Sequence, residues 1–457
     1  MSMLINTISA IGNNNSFAPL LVRDCGIEAP AKVSQRYNQN AKESKIMAKH
    51  ATRECIIDEY GSSIIWLGGV PAVEAVCNKI IDKKGLNSLV NFKLLDDNKN
   101  AMSEIDRAQQ GVDINIKKFS KSSAKDVLDA VEDLKKAKAN KGFFQKLTVS
   151  KYTAAIAIPV ALMGFVLPKS NFALSRYLLK KDAEKGLIPD KYLKDKDFAQ
   201  NINKTQTEKD AANEYNKLYT AANVKYNTFS TFKEQSKQTS FTGFASFMTG
   251  LTQQQKMAMT DGGLGAGRIG TSRRKNEAIE NGIRTAGMMY LNFVAPKQID
   301  KGLDKVIFKT FGINCDLDPK IIANKRFLAA VRADKLDLPK SQEEVIDFID
   351  NNPKSIFSKI AEQKGEVRFL KSGNRDPRCY VDTEKVFNLS KKMEEFGQNA
   401  RLSGDVKKYA KKALGAKTAN ILANIAISST LLAVCLPQLQ FAVRKLFFKS
   451  DVDPGLV

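Results

Sequence analysis

The sequence predicts a mainly α-helical, membrane-associated protein with two pseudo-symmetric halves, each holding two apolar helices and a polar helical insertion. Three observations predict it. Four apolar segments stand out in a chain of otherwise ordinary composition, 43% hydrophobic and 26% charged. The segments pair up by shared landmarks, the mark of a duplicated unit. The polar stretches between them carry helix-start signals followed by apolar residues at three- and four-residue spacing.

The apolar segments are 62–76, 152–179, 285–296 and 419–448. The second and fourth end alike. Leu167-Pro168 and Phe172-Ala173 in one match Leu436-Pro437 and Phe441-Ala442 in the other. A base follows in each, Arg176 and Lys445, then an apolar pair, Leu178-Leu179 and Phe447-Phe448. The first and third correspond more loosely. Arg53, Glu59 and Gly61 match Arg274, Glu280 and Gly282, Pro71 matches Pro296, and Glu74 with Lys79 matches Asp300 with Lys305. Between the glycine and the proline the second copy is longer by about one helical turn.

These landmarks divide the chain. Residues 1–40 read as a loosely ordered arm, because Gly, Asn, Pro and Ser punctuate them and no basic start marks a secretory signal. The first half is 41–181. A connecting helical region, 182–270, follows, with Phe241, Phe244, Met248 and Leu251 at helical spacing and a Gly-rich hinge at its end. The second half is 271–449, and 450–457 is a tail. Asp318-Pro319 is a helix start, and Ser341-x-x-Glu344 reads as a capping box before Val345. The one strand signal is a small β-hairpin near 366–381.

A spanning helix needs about 20 apolar residues. The second and fourth segments reach that length only with their continuations, and the first and third are shorter. Trp66, Tyr152 and flanking bases such as Lys151, Lys180, Lys417 and Lys449 fit an interfacial belt. The competing explanation is a set of core helices in a large soluble protein. The net charge of +23 favours anionic lipid as a partner, although the lysines are dispersed and also fit a plain solvated surface. A dispersed basic surface without an aromatic stacking platform points to no specific nucleic acid.

Signals for chemistry are sparse. Walker A, G-x-S-x-G, H-E-x-x-H and C-x-x-C do not occur. One histidine, His50, and six widely spaced cysteines suggest no metal site and no disulfide framework. The pattern leans away from an enzyme and calls for no cofactor. Gly265-x-Gly267-x-x-Gly270 matches the dinucleotide fingerprint by letter, but no strand precedes it, so a hinge is the favoured reading. Arg268, Arg273 and Arg274 around it are candidates for contacting an anion at a helix start. Glu74 and Asp300 are candidate intramembrane or interfacial acids. Three functional expectations follow: a membrane-associated scaffold or envelope component, a transporter-like protein with a path between two parallel repeats, or a soluble helical interaction protein.

Overall fold

The structure, a computed structural model, describes residues 3–12, 18–42, 44–95, 121–194, 247–313 and 316–449. Among these residues the fold is helical and no strand forms. Three helices are long and apolar enough to cross a membrane: Lys45–Lys83, Lys141–Glu184 and Val406–Phe448. Each contains a proline of the kind that ordinarily ends an α-helix, since it lacks an N–H and crowds the carbonyl four residues back. Each precedes that proline with a five-residue π turn. Ile65–Gly69 comes before Pro71, Leu162–Val166 before Pro168, and Leu431–Cys435 before Pro437. The extra residue widens the ladder where the ring needs room. The third apolar segment breaks instead. Helix Lys275–Phe293 stops at Val294, and Ala295–Phe311 restarts with Pro296 in its first turn, where a missing N–H costs nothing.

The chain divides into two compact units. The first comprises Met1–Val22, Val73–Lys151 and Asn292–Ser428, and the second Arg23–Ala72, Tyr152–Leu291 and Ser429–Val457.

In the first unit, short helices over 319–402 enclose a core that includes Ile321, Phe327, Val345, Phe357, Val386, Met393 and Phe396. Phe396 packs between Phe327, tilted against it, and Tyr409, edge to face, with ring centroids 5.7 and 5.4 Å away. A separate cluster joins Ile81, Leu86, Phe92 and Leu95 to Leu134 and Phe144. The expected hairpin is not formed. The segment makes one isolated bridge, Phe369 to Arg375, and charge pairs hold the loop. The fully buried Asp376 binds Arg378 at 2.9 Å, and Arg375 binds Asp350 at 2.8 Å. The expected capping box at 341–344 also differs, because Glu344 accepts the Lys340 N–H at 3.1 Å and its own helix starts without a side-chain cap.

The N-terminal arm, expected to be loose, is helical at Met3–Gly12 and Ala29–Ala41. Tertiary contacts override its punctuation. Gly12 lies against Ile421, and Ser9 donates to Asp318 at 2.7 Å. Asp318 caps helix Pro319–Ile322 as the sequence predicts, accepting the Lys320 N–H at 2.8 Å, and also pairs with Lys364 at 2.8 Å.

In the second unit, helix Ala29–Ala41 lies on Lys45–Ile64, and Met47, Ala51 and Leu179 form a small core with Ile188 and Tyr192. The Gly-rich stretch is not a hinge. It lies inside helix Gln253–Thr271, which opens on a capping box between Thr252 and Gln255. Its glycines serve two packing faces. Gly263 and Gly267 meet Val160 and Gly164, while Gly262 and Gly265 meet Met289 and Thr285. A methyl group on Gly267 would lie 2.7 Å from the Gly164 Cα, so only glycine permits this approach. Of the helical positions expected between the halves, Met248 is buried, and Phe241 and Phe244 lie outside the described residues.

Two outcomes follow. Gly267→Ala should destabilise by about 1–3 kcal/mol through overpacking, whereas Gly270→Ala, with open space at that position, should stabilise by about 0.5–1 kcal/mol; denaturant unfolding of each variant checks both. Burial raises the Asp318 carboxyl, but Lys364, Ser9 and the Lys320 N–H outweigh it and hold it below its ordinary 3.8. A carboxylate depressed on folding stabilises above its unfolded value and loses that contribution as pH falls through the folded one. Asp318→Asn should therefore lower the melting temperature at neutral pH, and the gap to the wild-type protein should close below about pH 3.8.

Candidate functional site

The densest chemistry among the described residues is a buried ionic network in the second unit. Helix Lys45–Ile64 supplies Glu54 and Asp58, one turn apart on the same side, and Glu59 from the position next to Asp58. Helix Gln253–Thr271 supplies Arg268 from its last turn. Arg273 follows in the short link, and helix Lys275–Phe293 adds Glu277, Glu280 and Arg284. The π turn Arg444–Phe448 contributes Arg444.

The pairing is nearly stoichiometric. Arg273 grips Glu54 through two bonds of 3.2 and 3.1 Å and also holds Glu277 at 3.0 Å. Arg268 reaches Asp58 at 2.7 Å and the Ser62 hydroxyl at 2.8 Å. Arg284 binds Asp58 at 3.0 Å and also Glu59, which Lys32 approaches at 3.6 Å while pairing with Glu28. Arg444 takes Glu280 as a fork, 2.7 and 2.8 Å, and is 1% exposed. Burial alone would lower the Arg273 guanidinium, but Glu54 and Glu277 overcome it and hold it above its ordinary range. Bidentate arginine–carboxylate pairs of this kind are strong and directional. Two of the arginines also sit over aromatic rings: Arg273 over Phe172 at 4.0 Å and Arg444 over Phe441 at 5.4 Å. A polar cavity of about 60 Å³ lies among Arg36, Glu54, Asp58, Arg268, Arg273 and Arg284, room for a few waters.

The sequence-predicted residues fall in several places. Arg268 and Arg273 enter this network, where both are already committed to carboxylates, and Arg274 is half-buried beside them. Pro168 and Pro437 are buried, Phe172 and Phe441 half-buried under their arginines, and Ala173 and Ala442 exposed. Glu74 is half-buried on helix Val70–Lys83. Asp300 sits 3.4 Å from Lys417, which also approaches Asp304 at 3.7 Å. His50 is buried rather than at the surface and bonds Asp182 at 2.9 Å. No group of ligating side chains suited to a metal ion occurs among the described residues.

Glu59 and Glu280 were visible as repeat landmarks, and Arg444 as a flanking base of the interfacial belt, where the structure buries it on Glu280 instead; Glu54, Asp58 and Arg284 were not singled out. Their one sequence signal was charge at the margins of apolar runs. At those margins solvated and buried charges read the same.

Arg444→Met should cost about 3–5 kcal/mol, because the buried Glu280 loses the guanidinium that binds both of its oxygens. Adding Glu280→Met should recover most of the loss, as removing both partners of a buried pair often does; unfolding of the two variants in parallel checks the order. Comparison with family models, with curated proteins and with solved structures finds no match to this chain.

Proposed function

We propose that the chain is a membrane-embedded, non-enzymatic scaffold built from two copies of one antiparallel helix pair, with affinity for anionic lipid. Three contacts recur in both copies at constant offsets, and these carry the reading. Gly61 packs on Leu167, as Gly287 packs on Leu436. Asn171 donates to the Glu54 carbonyl at 3.0 Å, as Gln440 donates to the Glu280 carbonyl at 3.2 Å. Lys151 donates to Asn78 at 3.0 Å, as Asn420 donates to Asp304. In every case the first helix is displaced by 226 positions and the second by 269. The π turns at 162–166 and 431–435 obey the same displacement. This register needs no gap, so the extra turn expected from the sequence between Gly282 and Pro296 is not required.

The spacing of the polar contacts supports a bilayer. Glu54 and Asn78 are separated by 24 positions, and so are Glu280 and Asp304. At 1.5 Å per residue the first of these, within the continuous helix Lys45–Lys83, covers about 36 Å, slightly more than a hydrocarbon core of roughly 30 Å. Between these polar marks the helices leave Ile64, Val76, Val166, Leu422 and Leu439 more than half exposed, a surface suited to acyl chains. Lysines 79, 83, 151 and 417 lie near the ends, where snorkelling reaches phosphates. The pairing of Asp300 with Lys417 supports a static interfacial role over a transport path.

Membrane fractionation tests the reading. The protein should stay in the pellet through alkaline carbonate and leave it only with detergent. Recovery in the supernatant without detergent defeats the proposal. Glu74→Gln and Asp300→Asn should alter stability by about 1 kcal/mol or less and leave vesicle ion flux at background; flux that the wild-type protein shows and these variants lose assigns a path instead.

A further inference from the structure

Asp261 lies in the middle of helix Gln253–Thr271 and plays no part in the ionic network. Its residue is 7% exposed, and its Oδ2 is buried without a hydrogen-bond partner. The helix that carries it is wedged tightly on two sides. Gly263 and Gly267 bring one side against Val160 and Gly164, and Gly262 and Gly265 bring another against Met289 and Thr285. Thr271 closes the end of the contact, its hydroxyl donating to the Gly164 carbonyl at 3.3 Å. The π turns Leu162–Val166 and Ile65–Gly69, on which this helix packs, bring no titratable side chain. The charged groups that act on Asp261 are Arg268 of its own helix, Glu28 and Asp24 of the π turn Val22–Glu28, Lys32 and Arg284. The three cations are already engaged: Arg268 with Asp58, Lys32 with Glu28 and Glu59, Arg284 with Asp58 and Glu59.

We propose that Asp261 is a proton-binding site of the second unit. A neutral carboxyl suits a buried oxygen without a partner, whereas a carboxylate there loses its hydration and adds negative charge near Glu28. Burial, offset by Arg268 and reinforced by Glu28, pushes the carboxyl up to about 6 from its ordinary 3.8. The ligand is the proton alone. Proton uptake turns the carboxylate into a carboxylic acid, and its loss returns the proton to solvent. An acid whose folded value lies above its unfolded one stabilises the fold at low pH, and that stabilisation is lost as pH rises through about 6. The burial is internal to one unit, so a failed infrared test would leave the fractionation result untouched.

Infrared titration of the purified full chain in detergent is the test. A protonated-carboxyl C=O component should be present near pH 5 and lost by about pH 8, with a midpoint near 6, separate from any component due to the buried Asp24. The band should shift in D2O and be missing from Asp261→Asn. That variant should melt at least as high as the wild-type protein near pH 8 and lose the pH dependence between about 5 and 8. If Asp261→Asn fails to fold, Asp261→Glu should keep the band at a changed frequency. Absence of the band in the folded wild-type protein overturns the proposal, as does its persistence, unchanged, in either variant.

Discussion

Charge taken out of water must meet opposite charge, and the second unit is arranged around that requirement. Arg284 joins Asp58 to Glu59, Arg273 joins Glu54 to Glu277, and Arg444 closes on Glu280. Each of these bonds links residues on different helices or on a helix and its flanking link. A helix that slid by one residue would strand a charge on both sides of the break. The network therefore acts first as a register device. Its net contribution to stability is small beside the loss that follows when one partner is removed.

Packing follows from that register. With helix Gln253–Thr271 held by Arg268 at its end, its glycines face Val160 and Gly164, and backbones approach as closely as side chains elsewhere do. On the same helix the Oδ2 of Asp261 is buried without a hydrogen-bond partner. The first unit is organised differently. There an aliphatic and aromatic core, with short helices capped by Asp318, Asn324, Ser355 and Asp382, carries the fold, and ion pairs sit mostly toward its surface.

Much of the helical architecture was legible in the sequence. Apolar length and spacing placed the three long helices, while the irregular turns that end at Leu167-Pro168 and Leu436-Pro437 were not foreseen, because those letters read only as repeat landmarks. The Asp318 cap was readable because an Asx-Pro step leaves little conformational choice. Other features depended on contacts distant in sequence. The Gly-rich stretch has the letters of a hinge, and its helical state comes from partners at 160–164 and 285–289. The arm at 1–40 has loop-like composition, and Ile421, Asp318 and the helix at 45–64 order it. The hairpin letters at 366–381 reach only one antiparallel bridge, flanked by the Leu370–Asn374 and Asp376–Arg368 backbone bonds, and no strand extends from it. The network was half legible: arginines and acids were noted, but pattern alone does not say which carboxylate each guanidinium will find.

The π turns carry a further implication for how these helices evolve. Each inserts a residue into the winding, and one residue of α-helix is roughly 100° of rotation. Everything downstream of Leu162–Val166 is therefore turned relative to what precedes it, and that turn aims Asn171 at the Glu54 carbonyl and Phe172 beneath Arg273. Excising a single residue there would straighten the rod and swing both side chains away. Point substitutions are thus tolerated more readily in this stretch than changes in length, and single-residue deletions are the lesions it is least able to absorb.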